Sequence, residues 1–290
     1  MRPAWLPERL FPFESRFVET PGGWIHYVDE GCGRPLLLLH GNPTWCFLYR
    51  HLIPRLKGNF RCIAPDFPGF GLSTSAAGYN FKPASHTEVI EAFVTSLDLQ
   101  DAIVMVQDWG GPIGLTAVAD DPSRFSGLVI GNTFAWPVRG DPLSERFSAL
   151  MGGAVARRLN WLFNMFPRLL LSKGVRRNRL SSEALAAYLG PFSNRDSRVP
   201  MSVFAREIIG STPWLESLAV RLGGLAHLPA LIVWGDRDFA FKEKDRRRFE
   251  SIFQNSRTVL LPGAGHFIQE DAPDEIADAI ISRFGNRRKE

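Results

Sequence analysis

Cysteine is scarce in this chain of 290 residues, with Cys32, Cys46 and Cys62 alone. An odd number without the spacing of zinc ligands suggests neither a disulfide framework nor a metal site, and a reducing cytoplasm is the expected compartment. Long apolar runs are missing as well. No stretch approaches the roughly 20 residues that span a bilayer. The opening M-R-P-A-W-L-P-E-R-L has no continuous apolar core and no small-residue cleavage site, so neither secretion nor membrane anchorage is expected. Internal repeats and low-complexity linkers are also absent. The net charge of +4 is modest, although Arg157, Arg158, Arg168, Lys173, Arg176, Arg177 and Arg179 follow one another with no acid between them. Trp161, Leu162, Phe163 and Phe166 are interleaved with them. We read this run as the solvated face of an amphipathic helix whose apolar side packs inward, not as a surface for nucleic acid or membrane.

What is present is enough apolar material, 45% of residues, for a substantial core. Residues 17–28 suggest two short antiparallel strands turning at Pro21-Gly22-Gly23. Short apolar runs at 36–39, 60–64, 103–106, 125–131, 230–234 and 258–261 read as buried strands, and helical stretches at 45–56, 85–97, 242–253 and 272–284 alternate with them. Such alternation implies an α/β protein with a mostly parallel, doubly wound sheet. It stops between about Trp136 and Thr212, where Arg, Leu, Phe and helix formers are broken by prolines. We expect a core of 1–135 and 213–290, with 136–212 as an inserted helical cap over the strand ends where such sheets bind ligands.

The stretch I-V-M-V-Q-D-W-G-G-P-I-G, residues 103–114, carries the chemistry. A buried strand runs into a turn whose Gly110, Gly111 and Gly114 permit close packing of a helix, and the turn presents Asp108. This is the arrangement of the α/β-hydrolase nucleophile turn, with a carboxylate where an esterase has serine. A carboxylate is already anionic at neutral pH and can attack an alkyl carbon bearing a leaving group, forming an ester with the enzyme. His266, in the loop after the last strand, can take a proton from water. Of the two acids in G-D-R-D, Asp238 has cleared the turn and is preferred as its orienting partner, while Asp236 can cap the turn locally. The order Asp108, Asp238, His266 is the order used by triads of this type. Asn42, after His40-Gly41, and Trp109, after Asp108, offer uncharged N–H donors for a departing anion. Asp66, in P-D-F-P-G-F-G, reads as a structural hydrogen-bonding residue.

Together, H-G-N-P-T-W, V-Q-D-W-G-G-P-I-G, G-D-R-D and G-A-G-H-F resemble the haloalkane dehalogenases of the α/β-hydrolase superfamily, from about Trp24 through Phe284. The resemblance implies an Asp-His-Asp triad of Asp108, His266 and Asp238 with an Asn-Trp halide pair, Asn42 and Trp109. It also implies oxyanion donors from the backbone of those two residues, and no metal or organic cofactor. The implied partners are a small halogenated substrate, water and a halide ion. Phe134, Trp136, Phe204, Phe239 and Phe267 are candidate walls of an apolar substrate pocket. Two other readings stand beside this one. Epoxide hydrolases share the D-W-G turn but usually carry an aromatic residue where Asn42 stands, and they use cap tyrosines, of which Tyr188 is the single candidate. A non-catalytic binding protein on a hydrolase scaffold is the other.

Overall fold

The computed structural model describes residues 2–285. Among them, eight strands form one sheet: β1 (Arg16–Thr20), β2 (Gly23–Glu30), β3 (Pro35–Leu39), β4 (Arg61–Pro65), β5 (Ala102–Asp108), β6 (Phe125–Thr133), β7 (Ala230–Gly235) and β8 (Ser256–Leu261). Their order is β1-β2-β4-β3-β5-β6-β7-β8. The β2 strand runs antiparallel to β1 and β4, and the remaining pairings are parallel. The initial hairpin closes with Thr20 opposite Gly23. In the centre, Leu36 to Leu39 of β3 pair in register with Ile103 to Val106 of β5, all of them buried. That register brings the two strand ends level, so the loop beginning at His40-Gly41-Asn42 emerges beside Asp108.

The helices are α1 (Ile53–Leu56), α2 (Pro83–Ser96), α3 (Gly110–Asp120), α4 (Pro142–Gly152), α5 (Ala154–Phe163), α6 (Met165–Gly174), α7 (Ser182–Leu189), α8 (Val199–Gly210), α9 (Thr212–Arg221), α10 (Glu243–Ile252), α11 (Ile268–Asp271) and α12 (Pro273–Phe284). Six of them, α4 to α9, occupy the connection between β6 and β7. The last of these, α9, packs against α3.

Two local expectations are corrected. Residues 45–56 do not make one helix but a 3-10 turn at Cys46–Tyr49 and a single α turn at Ile53–Leu56. Pro54 has no N–H to continue the helical ladder, and the first turn is tied down separately: Asp66 Oδ1 accepts the Cys46 N–H at 2.7 Å and the Tyr49 hydroxyl donates to the Leu39 carbonyl at 2.8 Å. The basic run is likewise not one helix. It crosses α5, α6 and the chain beyond them, with a break at Asn164, whose φ is +51°. Asp66 is the structural residue expected of it, fully buried and accepting from the backbone of Cys46 and Leu72 and from the His26 ring at 2.7 Å.

Candidate active site

Asp108 sits at the tip of β5 with φ +50°, the left-handed region that side chains seldom adopt. The strain persists because the neighbourhood leaves no alternative. A Cβ on Gly41 would lie 2.3 Å from the Asp108 Cβ, and one on Gly111 would lie 1.8 Å from Thr133 Oγ1. Small residues therefore let β3, the turn and α3 close around the carboxylate, and the Thr133 hydroxyl donates to the Asp108 carbonyl at 2.5 Å. The Asn42 backbone N–H donates to Asp108 Oδ1 at 2.7 Å.

His266 is buried, with Nε2 3.5 Å from Asp108 Oδ2 and Nδ1 3.0 Å from Asp238 Oδ2. The three side chains are thus brought together in the sequence carboxylate, imidazole, carboxylate. Burial pushes the imidazole pKa down, but the charges and hydrogen bonds of Asp238 and Asp108 outweigh it and raise the pKa to about 10. Asp236 takes no part: its Oδ1 accepts the Gly263 N–H at 2.6 Å, a local loop contact.

Two further residues belong to this site: Asn132, which sequence reasoning set aside because it sits at an alternative acid position and cannot supply a charge, and Gln107, which escaped it. Asn132, at the end of β6, donates to Asp238 Oδ2 at 2.6 Å and accepts the Gly235 N–H at 2.8 Å, which locks the acid against the imidazole. Gln107, one residue before Asp108, donates to the His266 carbonyl at 3.2 Å and faces His266 Nε2 at 3.2 Å. Its N–H can be accepted by that ring nitrogen only in neutral imidazole, so Gln107 opposes the protonation that the two carboxylates favour. Position at a strand end was the available signal for Asn132. For Gln107, alternation along a half-buried strand was no guide, since β5 is covered on both faces.

Asp108 and His266 border a cavity of about 310 Å³. Phe134, Phe239 and Phe267 line it, joined by Phe147 and Met151 of α4, Leu169 and Leu170 of α6, and Ile208 of α8. Trp136 and Phe204 do not, which corrects two of the expected walls. After β6 ends at Thr133 the chain turns, and the Trp136 ring lies 4.7 Å from Phe249 with the Arg248 guanidinium 4.3 Å above it. Phe204 is stacked on His86 at 5.0 Å and lies 5.2 Å from the Trp109 ring, one layer behind the cavity.

Asn42 and Trp109 both face this cavity. The Asn42 amide donates at 3.4 Å to the Met201 carbonyl, which leaves its second N–H uncommitted. The Trp109 indole N–H donates to no described residue. The arrangement is chemically specific: a carboxylate at the floor of a chamber lined mainly by apolar side chains, with Ser144 and Lys173 also on its wall, two neutral donors at its rim, and an acid-backed imidazole behind. Tyr188 is elsewhere, its hydroxyl bonded to Glu270 and its ring 5.0 Å from Phe47.

Comparison with known proteins identifies the family. A family model described as alpha/beta hydrolase fold matches residues 34–273. Haloalkane dehalogenase 2 of Mycobacterium tuberculosis (strain ATCC 25618 / H37Rv) is 42% identical over 280 residues, covering 96% of this chain and 97% of that protein. A cis-3-alkyl-4-alkyloxetan-2-one decarboxylase of Shewanella oneidensis is 33% identical over 286 residues, 94% of this chain and 89% of that protein. Among solved structures, an ancestral haloalkane dehalogenase superposes with a TM-score of 0.83 at 28% identity, covering 92% of this chain and 97% of the other. The chain belongs to the α/β-hydrolase family and, within it, to the haloalkane dehalogenases.

Proposed function

We propose that this protein hydrolyses carbon–halogen bonds of haloalkanes to an alcohol, a halide ion and a proton, through an alkyl ester on Asp108. The observation that carries the reading is the Asp108 carboxylate opening into an apolar cavity beside two uncommitted neutral N–H donors, those of Asn42 and Trp109. Asp108 attacks the halogen-bearing carbon from the side opposite the halide. The pair of donors takes up the negative charge as it develops on the halide, and because neither is cationic the ion is released afterwards. Asp108 then becomes a neutral ester, and His266 loses one of the two anions that kept it protonated. The imidazole sheds its proton, with Gln107 favouring the neutral form, and takes a proton from the attacking water while Asp238 holds the ring. The Asn42 backbone N–H, already on Oδ1, and that of Trp109 serve the oxyanion of this second step. Residues 136–212 act as a cap that excludes water from the chamber, and the working compartment is the cytoplasm.

Release of bromide and chloride from a panel of haloalkanes tests the proposal, with turnover expected for brominated chains. Asn42→Ala should slow carbon–halogen cleavage by about tenfold to a hundredfold and ester hydrolysis less. An enzyme that released no halide yet opened epoxides or 3,4-dialkyl oxetan-2-ones would sink the reading. The oxetan-2-one is included because one relative is named for it and because its ring oxygen is also a leaving group on an sp3 carbon. Against epoxides stands the placement of Tyr188, spent on Glu270.

The switch in His266 has its own check. In Asp108→Asn, a stand-in for the neutral ester, the imidazole pKa measured by NMR should fall well below that of the wild type. An unchanged value would remove Asp108 from the control of His266. The sign for stability follows: because the folded pKa is raised above the unfolded value of about 6.5, His266 stabilises the fold fully below that pH. This contribution is lost as pH climbs through about 10.

A further inference from the structure

The basic run left over from the sequence makes a groove on the outside of the helical connection. About 350 Å³ of space lies between α5 and α8, lined by Arg157, Arg158, Trp161, Arg198, Val203 and Arg206. The Trp161 ring carries the Arg158 guanidinium at 4.5 Å and the Arg195 guanidinium at 4.7 Å. Among the described residues, Arg157, Arg158, Arg168 and Arg195 form no ion pair, and Arg206 reaches only Glu207, at 3.2 Å. Arg198 is held in place by the carbonyls of Phe192, Trp161 and Ser193 at 2.7 to 3.0 Å. Further round α5 from the residues that line the groove, Val155, Leu159 and Phe163 recur every fourth residue. Val155 is 75% and Phe163 66% exposed, so both ends of this row stand largely in solvent, while Leu159 between them is 37% exposed.

In place of the solvated helix face expected from the sequence, we propose that this face docks on a membrane surface containing anionic phospholipid, with phosphate groups in the arginine groove and the Val155, Leu159 and Phe163 row entering the headgroup boundary. Free phosphate would use the arginines and leave the apolar row in water. A single strand would stack its bases on an open aromatic face, whereas two guanidinium groups already lie over Trp161, and a duplex bound through its phosphates would, like free phosphate, leave the apolar row in water. A lipid surface satisfies both halves, charge with the groove and apolar side chains with the acyl boundary. Docking would also bring the connection whose Met151, Leu169 and Leu170 line the active-site cavity next to the phase into which apolar molecules partition.

The test is sedimentation of the full-length protein with vesicles of phosphatidylcholine alone or with about one-third phosphatidylglycerol. Binding is expected to the anionic vesicles and to weaken with salt. The double variant Arg157→Ala/Arg158→Ala should lose about tenfold in affinity, and because neither side chain is in an ion pair its loss leaves no charge unpaired in the protein. The pair Val155→Ser/Phe163→Ser should lose the part of the binding that persists at high salt. Both variants should keep wild-type halide release from a water-soluble substrate, which verifies folding. Equal sedimentation with neutral and anionic vesicles, unaltered binding by both variants, or calorimetric binding of inorganic phosphate without binding of vesicles would overturn the proposal. So would a stable dimer in solution that Val155→Ser/Phe163→Ser dissolves, since the row would then belong to a second copy.

Discussion

His266→Phe is expected to release about one halide ion per enzyme molecule and then stop, with steady turnover lower by roughly 10⁴-fold. In the proposed mechanism the first displacement needs only the Asp108 carboxylate and the two halide donors, none of which the substitution replaces. Ester hydrolysis needs a proton acceptor within reach of the attacking water, and after the substitution none remains at the cavity wall. Mass spectrometry of the arrested protein should find one alkyl group, located on the peptide that contains Asp108. Asp108→Ala is the companion, expected to release no halide and to gain no mass. Sustained turnover by His266→Phe would assign water activation to another group, and an alkyl group found on a different residue would displace Asp108 as nucleophile.

Loss of Arg50 is expected to be the most damaging single change to stability. Its guanidinium meets Glu270 in a two-pronged ion pair, with the Nη2 to Oε2 distance 2.9 Å, and it lies 4.1 Å above the Phe47 ring. The Tyr188 hydroxyl of α7 bonds to the same carboxylate, so the cluster joins the helical connection to α11 and to the turn after β3. The Arg50 and Glu270 side chains are about 95% buried. Arg50→Met strands a carboxylate in that interior, a loss of about 3 to 5 kcal/mol. For a chain of this size, that lowers the melting temperature by about 5 to 8 °C. Replacing the whole cluster with Arg50→Met, Glu270→Leu and Tyr188→Phe should recover most of the loss, since no polar group is then left without a partner. If the single variant melts within 2 °C of the wild type, on the order of 1 kcal/mol or less, the cluster is not a significant anchor.

The sheet was legible because its strands are short apolar runs set off by Gly, Pro and charged residues, and its mostly parallel pairing followed from the alternation with helices. The nucleophile turn was legible for a related reason. Only glycine fits where the Cβ at position 111 would meet Thr133 Oγ1, so the backbone requirement is written in the residue type itself. Asp238 was separable from Asp236 by its distance past the turn. Trp136 and Phe204 were misplaced because an aromatic residue is equally suited to a cavity wall and to the layer behind it. Spacing in a helical connection does not say which way a ring points once the strand has ended.

Taken alone, the sequence determined the class of fold, the nucleophile turn and the chemical types available to it, because these depend on local backbone demands and on side chains a few residues apart. Tertiary structure alone decided that Asn132 braces Asp238, that Gln107 faces the imidazole and that Tyr188 is spent on Glu270. It also left the arginines of α5 and α8 around a common groove. Each of these joins residues separated by tens to hundreds of positions, or depends on where a side chain points. Hydrogen bonds and packing settle such matters only when strands and helices from distant parts of the chain have been brought side by side.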